Sequence, residues 1–286
     1  MPQSLDLETI DECPACAGRT FRPFAVSGGL PIVRCNGCSL ILSNPRIPES
    51  QTRRFFEDEY LQDSSRIENE MTNYRADSLA RTAVRLKAWY PNGGRLLDVG
   101  TASGLFLSHF TGHENWLTEG LEPSRQAAIH ASNLYQVPVH RGFLDTVELP
   151  KATFDAVTIL DAFFLDPHPG RSLSVIDSIL KPGGTVWLDI PGLNFRLLKN
   201  TGIVARLLYG VWTQLNPAMQ MFYYEERTLS RLMSRHGFSL AARFPEQSPL
   251  YGGSAMRLMN SAYFHAASFL YRATAGRLNI APKELL

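Results

Sequence analysis

Four cysteines near the amino terminus have the spacing of metal ligands. Cys13 and Cys16 form one C-x2-C pair, and Cys35 and Cys38 form a second one 18 residues further on. Four thiolates complete a closed tetrahedral shell around zinc, which leaves no open position for chemistry. Disulfides, free thiols and an iron–sulfur cluster are the alternatives, but the first residues show no basic-then-apolar secretory pattern. We therefore predict structural zinc at Cys13, Cys16, Cys35 and Cys38.

A glycine turn follows the apolar residues Leu96, Leu97 and Val99. Its glycines, Gly100 and Gly104, let the backbone approach a ligand where a side chain would block it. The helix that follows, expected from about residue 103, points free N–H groups at the same place. The pattern indicates a nucleotide-type pocket at the end of a buried strand. It differs from the dinucleotide fingerprint, which has glycine at the position of an alanine here.

Two carboxylates accompany this turn. Glu122 ends a second apolar strand about 20 residues after the glycines, where an acid can bind both ribose hydroxyls. Asp98 places a second acid just before Gly100. Together they would repel a pyrophosphate, so the pair favours a cationic ligand that carries a ribose.

Four motifs in order resemble class I S-adenosylmethionine-dependent methyltransferases. They are Leu96-Leu97-Asp98-Val99-Gly100-Thr101-Ala102-Ser103-Gly104, Gly120-Leu121-Glu122-Pro123-Ser124, Phe154-Asp155-Ala156-Val157-Thr158-Ile159-Leu160-Asp161 and Leu180-Lys181-Pro182-Gly183-Gly184-Thr185-Val186-Trp187-Leu188. The resemblance implies an α/β fold with a doubly wound, mostly parallel, Rossmann-like sheet, preceded here by the zinc ribbon. It also implies S-adenosylmethionine as cofactor.

The resemblance further implies a set of cofactor-binding residues. The glycine turn would cradle the methionine and ribose, Asp98 would orient the ammonium group, and a later loop would border the adenine. The backbone after the fourth strand would face the methyl group. The complete set is Asp98, Gly100, Thr101, Gly104, Glu122, Pro123, Phe143, Leu144, Asp161 and Ala162.

The usual bases of these relatives are missing. Phe164 and Leu165 stand where many relatives have a Glu-His pair, and Gln220 stands at a second familiar histidine. The remaining catalytic candidates are His168, Asp166, Tyr223 and Tyr224. We rank His168 first, because an imidazole ordinarily titrates near neutral pH, although it can equally be an inert loop residue.

The chain divides into three predicted parts: a zinc ribbon at 1–47, a helical connector at 48–92 and the methyltransferase domain at 93–286. A basic helical insertion is expected at about 193–222. Within the connector we predict a helix over 72–89, and Tyr74 and Arg75 lie where relatives bring a helix over the methionine end of the cofactor. Short strands are expected at 137–139 and 238–244. The last strand, which begins at Lys283, is expected to be cut short or missing, which would leave an exposed sheet edge.

Composition describes an ordinary globular protein: 286 residues, 44% hydrophobic, 19% charged and a formal net charge of +1. The charge is uneven, since residues 1–50 carry −1 and residues 191–286 carry +7. A net negative ribbon disfavours phosphate contacts, so we expect no nucleic-acid partner. Cytoplasmic residence is the default expectation.

We predict methyl transfer to a small-molecule acceptor, such as a natural product, a sugar or a lipid-linked intermediate. The acceptor is expected to be anionic or partly apolar, because the helices at 193–212 are basic and apolar. These helices would form a lid, and they could also contact a membrane surface. The alternatives are a non-catalytic relative and, less favoured, an RNA methyltransferase. Without the Glu-His pair, an acidic acceptor that needs no strong base is favoured over an ordinary sugar carbon.

Overall fold

The computed structural model describes residues 6–61, 75–209, 213, 215–247 and 254–286. A seven-stranded sheet flanked by helices forms the body, and a four-stranded sheet forms at the ribbon. The strands of the large sheet are β4 (Gly94–Val99), β5 (Trp116–Glu122), β6 (Val139–Arg141), β7 (Phe154–Leu160), β8 (Leu180–Pro191), β10 (Phe244–Glu246) and β11 (Lys283–Leu285). The strands of the small sheet are β1 (Phe21–Ser27), β2 (Leu30–Cys35), β3 (Ile41–Ser43) and β9 (Phe222–Tyr223).

Helices connect these strands. The connector contributes α1 (Glu49–Arg54), one π-helical turn (Phe55–Glu59) and α2 (Ala76–Trp89). The body adds α3 (Leu105–Ser108), α4 (Arg125–Tyr135), a 3-10 turn (Phe163–Leu165), α5 (Pro169–Ile179), α6 (Leu193–Asn200), α7 (Gly202–Tyr209), α8 (Glu226–Ser234) and α9 (Ser254–Ala273).

The order of the large sheet is β6-β5-β4-β7-β8-β11-β10. Strands β4 to β8 pair in parallel, whereas β11 is antiparallel to both of its neighbours. The chain runs outward from β4 to β6 and then returns to β7 on the other side of β4. Such a reversal opens a crevice at the carboxyl ends of the strands. The predicted doubly wound, mostly parallel sheet is confirmed.

Burial on both faces explains the apolar central strands. Leu96 and Leu97 point to opposite faces of β4, and both are fully buried because helices cover both sides. On α2 the buried residues Leu79, Ala83 and Leu86 recur at helical spacing and pack against the sheet. The predicted helix over 72–89 therefore forms from Ala76, and its first residues lie outside the described ones.

Three strand predictions need correction. The third strand covers 139–141 instead of 137–139, because Pro138 has no N–H to donate to a ladder. The sixth covers 244–246 instead of 238–244, because β11, the strand with which it pairs, is three residues long. The last strand, β11, is three residues long, but it is not missing. The exposed edge expected there was wrong, because β11 is hydrogen-bonded between β8 and β10.

The small sheet joins the ribbon to the body. Strand β9, which follows the helical insertion, pairs with β3 of the ribbon, and Ser43 Oγ donates to the Gln220 carbonyl at 3.0 Å. The domain boundary at residue 47 stays a prediction, but a hydrogen-bonded sheet crosses it. None of the described helices combines the length and the hydropathy that crossing a membrane would require.

Candidate functional site

The four cysteine sulfurs lie together. Their Sγ atoms are all within 4.8 Å of one another, and Cys13–Cys38 and Cys16–Cys35 are each 3.6 Å apart. Zinc–sulfur bonds of about 2.3 Å give a tetrahedron with edges of about 3.8 Å, whereas a disulfide requires about 2.05 Å. The cluster therefore has the dimensions of a four-sulfur metal site, and its donor set suits structural zinc.

The two cysteine turns are shaped around these sulfurs. The residue after each C-x2-C pair, Ala17 or Ser39, takes a left-handed conformation with φ of 58° or 70°. A Cβ added at Gly18 or Gly37 would come within 3.2 Å of Cys16 Sγ, so the backbone there closes tightly on the sulfur. Tight turns of this kind aim both sulfurs of a pair at one point.

A pocket opens at the carboxyl ends of β4, β5 and β7, where the sheet order reverses. It holds about 1070 Å³ of empty space, its open mouth included. The cofactor-binding residues predicted from the sequence that line it are Gly100, Glu122, Pro123, Phe143, Leu144, Asp161 and Ala162.

The two glycines of the turn have different roles. Gly100 lines the pocket with φ of +72°, and a Cβ there would lie 3.2 Å from the Cβ of Ala162. Gly104 does not line it; its φ is +80°, and a Cβ would lie 2.8 Å from the Cβ of Ala131 on α4. Gly100 therefore keeps the ligand side open, whereas Gly104 permits close helix packing. Thr101 is buried and also lies outside the pocket lining.

Glu122 is a buried carboxylate that lines the pocket. Only 3% of the residue is exposed, and its two oxygens accept hydrogen bonds from the Ala102 N–H at 2.8 Å and the Ser124 N–H at 2.9 Å. Burial raises the pKa of Glu122 to about 7, against the two N–H donors, and the charge of Asp98 adds to the rise. The last residue of β5 thus links the glycine turn to the start of α4.

Asp98 lies behind the turn and not in the pocket lining. Its carboxylate accepts a 2.6 Å hydrogen bond from the Thr158 hydroxyl of β7, the neighbouring strand. Burial raises the pKa of Asp98 to about 6, although this hydrogen bond lowers it. The structure therefore shows Asp98 tying β4 to β7, and its predicted contact with the cofactor stays a prediction.

The connector closes one end of the pocket beside Phe143. The Arg53 guanidinium lies 4.5 Å from the Phe143 ring centroid and donates to Asp145 at 2.6 Å. Arg53 also pairs with Glu49, whose second oxygen is 2.7 Å from His168 Nε2. A continuous set of ion pairs and hydrogen bonds thus ties α1 to the loops after β6 and β7.

Charged side chains surround Asp161 at the other end. Lys283 Nζ lies 2.7 Å from Asp161 Oδ2 and 2.6 Å from Asp189 Oδ2. Arg75 donates to the Leu160 carbonyl at 2.8 Å, and its Nε is 3.6 Å from Asp161 Oδ2. Burial opposes ionisation of Asp161, but Lys283 and Arg75 outweigh it and lower its pKa. Asp161 therefore presents an ionised carboxylate to the pocket.

The catalytic candidates separate in space. His168 and Asp166 line the pocket, at the end where His168 contacts Glu49. Tyr223 and Tyr224 do not line it: both are buried, Tyr223 in β9 and Tyr224 stacked on Phe163 at 5.7 Å between centroids. Burial raises the pKa of both phenols, which disfavours a phenolate base. The structure therefore does not bring the two tyrosines to the cofactor pocket.

Several lining residues escaped the sequence analysis. Thr52, Arg53, Phe56 and Tyr60 of the connector line the pocket, yet they belong to no motif. The helical spacing of Phe56 and Tyr60 identifies a helix face, but not what that face covers. Arg75, predicted near the methionine end, lines the pocket, and Tyr74 lies outside the described residues.

The fold and the pocket define the chain as an α/β protein built to bind a nucleoside at the reversal point of a parallel sheet. The sequence profile of a family described as a methyltransferase domain matches residues 71–242, more than half of the chain. The chain belongs to this methyltransferase family. It is an S-adenosylmethionine-dependent methyltransferase, as the sequence motifs predicted. No curated protein matches it.

Solved structures share the fold. A putative methyltransferase of Haloferax volcanii, solved with a methyltransferase activator, has a TM-score of 0.56 and 17% identity over 80% of this chain and 95% of its own. Phosphoethanolamine N-methyltransferase 2 of Haemonchus contortus, with bound S-adenosyl-L-methionine, has a TM-score of 0.57 and 15% identity over 86% of this chain and 61% of its own. 1,6-Didemethyltoxoflavin-N1-methyltransferase of Burkholderia thailandensis has a TM-score of 0.52 and 15% identity over 78% of this chain and 91% of its own.

Proposed function

We propose that the pocket at Gly100 and Glu122 binds S-adenosylmethionine and that the protein methylates an anionic, partly apolar small molecule. The observation that carries this proposal is the carboxylate of Glu122, which is buried at the carboxyl end of β5 and lines the pocket where the sheet order reverses. A buried acid opposite an open glycine turn suits a ribose better than a phosphate, because an anion would be repelled.

Each of the lining residues is proposed to contact one part of the cofactor. Glu122 accepts hydrogen bonds from the ribose hydroxyls, and Phe143 and Leu144 border the adenine. Gly100 leaves room for the sugar, and the backbone at Asp161 and Ala162 faces the methyl group. When bound, the cofactor supplies a methyl group on a positively charged sulfur, which is a good leaving group. The protein then chiefly orients the acceptor and excludes water.

Charge beside Asp161 supports an anionic acceptor. The Arg196 guanidinium of α6 is held by the Gln220 side chain and lies 5.6 Å from the centroid of the Tyr223 ring. Arg196 also contributes to the lowered pKa of Asp161, so it acts at this end of the pocket. With Lys283 and Arg75, three cations face the carboxylates of Asp161 and Asp189. The charge of Asp98 also acts on Arg75, and we propose that this group of three cations favours a carboxylate or phenolate acceptor.

An acceptor that is already ionised also explains the missing bases. Phe163 and Leu165 line the pocket after β7, and neither can take a proton. His168, still our first-ranked titratable group, is engaged by Glu49 beside Arg53, at the Phe143 end. A phenolate or carboxylate needs no base for methyl transfer, since it carries its nucleophilic lone pair before the cofactor arrives.

Calorimetry and a transfer assay test the proposal. S-adenosylmethionine and S-adenosylhomocysteine should both bind at one site per chain. Tritiated methyl groups should then appear in an acidic, organic-extractable fraction of a small-molecule extract. Binding of neither nucleoside contradicts the proposal. Transfer into RNA, or only into neutral sugars, contradicts the proposed acceptor class.

Two further expectations belong to this proposal. We propose that the protein resides in the cytoplasm, where cysteines stay reduced and available to zinc. We also propose that it has no nucleic-acid partner, because residues 1–50 are net negative. Cell fractionation tests the first expectation, and retention on RNA at low salt would contradict the second.

A further inference from the structure

The helices α6, α7 and α9 belong to two stretches of the chain that contain no acidic residue. Residues 190–224 and 247–283 lack both Asp and Glu, although each stretch exceeds 30 residues. Their basic residues include Lys199, Arg206, Arg272 and Arg277, all of which are exposed. The helices are neighbours, since the Phe195 ring of α6 packs on Tyr263 of α9 at 5.2 Å and α6 contacts α7.

The outward face of α9 is apolar. Leu258, Met259 and Phe269 are 72%, 64% and 70% exposed, whereas Ala267 is fully buried. Leu258 and Phe269 are 11 residues apart, which places them on nearly the same line along the helix. Ala262, Ala266 and Ala273 are exposed too. Most surface helices show the opposite pattern, with the apolar stripe turned inward.

Helices α6 and α7 also carry exposed apolar side chains. Leu198 of α6 is 57% exposed, and Ile203 and Leu207 of α7 are 66% and 79% exposed. Ile203 and Leu207 are four residues apart and share one helix face, whereas Ala205 is buried. Exposed apolar side chains grouped on adjacent helices mark an interaction surface, whereas scattered ones do not.

We infer that this surface, formed by the exposed residues of α6, α7 and α9, binds the surface of an anionic lipid membrane. Apolar side chains on an amphipathic helix enter the boundary between headgroups and acyl chains, and basic residues at its edge contact anionic headgroups. The complete lack of acids in both stretches suits a negatively charged surface, since no carboxylate would be repelled by it. Amphipathic helices of this kind lie in the plane of the interface, so the protein would lie on the membrane.

Membrane binding does not depend on the acceptor. The residues of this surface are separate from Glu122 and the glycine turn, so the protein can bind vesicles whether or not it methylates an anionic compound. A membrane surface would nevertheless be a suitable place to meet a partly apolar acceptor, because α6 also carries Arg196.

Vesicle co-sedimentation of the full chain tests the inference. We expect binding to vesicles of phosphatidylcholine with 30–40% phosphatidylglycerol, and much weaker binding to phosphatidylcholine alone. Replacing Arg206 and Arg272 by Gln should weaken the partition coefficient about fivefold per charge removed. Raising the salt to about 0.5 M should weaken binding of the unaltered protein in the same direction.

Matched variants separate the surface from general effects. Leu207→Ser with Phe269→Ser should reduce vesicle binding at least about tenfold. Leu134→Ser, at a 57% exposed leucine on α4, should leave it unchanged. All variants should bind S-adenosylmethionine like the parent, which shows that they fold.

Three results would overturn the inference. One is equal binding to neutral and anionic vesicles, or binding to neither. Another is a loss with Leu134→Ser as large as that with the double variant. The third is a stable dimer in light scattering that Leu207→Ser with Phe269→Ser converts to monomer, since a second copy of the chain would then cover the surface.

Discussion

Replacement of Glu122 tests the cofactor site most directly. Its carboxylate lines the pocket and is 3% exposed, and each oxygen already accepts one backbone N–H. A carboxylate that binds two ribose hydroxyls makes two charge-assisted hydrogen bonds, worth about 1.5 kcal/mol each at the lower end. Glu122→Ala should therefore raise the Kd for S-adenosylmethionine about 100-fold, and Glu122→Gln about tenfold.

Glu119→Gln is the matched control. Glu119 lies in the same strand, but its carboxylate pairs with Arg95 at 2.5 Å and with His140 at 2.8 Å, away from the pocket. Its replacement should leave the Kd within about twofold, even if it lowers stability. Calorimetry at one pH and temperature gives all four values, and melting temperatures of the ligand-free variants check that they fold.

The raised pKa of Glu122 adds a pH test. A group with a pKa of about 7 is mostly ionised at pH 8 and about one-tenth ionised at pH 6. If the ionised form binds the ribose, affinity should fall about tenfold from pH 8 to pH 6, with proton release on binding at pH 6. Glu122→Gln should abolish this dependence, whereas Glu119→Gln should retain it. A Glu122→Ala protein that binds within about threefold of the parent would refute the proposed role of this carboxylate.

Three other predictions concern the scaffold. Mass spectrometry of the purified protein should show one zinc per chain. The Cys16→Ser variant should lose this zinc, and its ribbon should become sensitive to protease. Retention of the metal by this variant would contradict the four-sulfur site. In denaturant titrations, Gly104→Ala should lower the free energy of unfolding by about 1–2 kcal/mol more than Gly112→Ala does. Both glycines have φ close to +80°, but of the two only Gly104 is crowded by Ala131. Equal losses of stability in the two variants would contradict the packing role of Gly104. Burial raises the pKa of Asp98 and Asp189 to about 6 and of Glu122 and Glu284 to about 7, so the folded state holds protons that the unfolded state releases. Stability is then gained below the folded pKa and lost as pH rises through it, and the ligand-free protein should melt at a higher temperature at pH 6 than at pH 8. A higher melting temperature at pH 8 would contradict this.

Local sequence patterns were sufficient to predict the fold class and the metal site. The four cysteines lie in two short turns, so their spacing alone predicts that each pair points at one metal. The apolar strand residues and Gly100 form one continuous segment, and Glu122 ends the next strand of the sheet. Parallel strands that are neighbours present their carboxyl ends at the same edge, which is why these residues could be assigned to one pocket.

Contacts between residues that are distant in sequence could not be predicted from such patterns. Lys283 reaches Asp161 across 122 positions because β11 enters the sheet beside β8, a pairing that no local pattern encodes. Tyr223 follows the position of a familiar histidine, yet β9 carries it to the ribbon sheet instead of the pocket. The short sixth strand follows from the length of its partner.

The amino-acid sequence by itself therefore determined the fold class, which cysteines can share a metal and which strand ends carry Glu122 and the glycine turn. These depend on spacing and periodicity over short stretches. The tertiary structure alone decided that the connector closes the pocket, that the last strand supplies a lysine to Asp161 and that Gly104 serves helix packing. Each of these depends on distant segments meeting, and burial and charge take their effect only after the chain has folded.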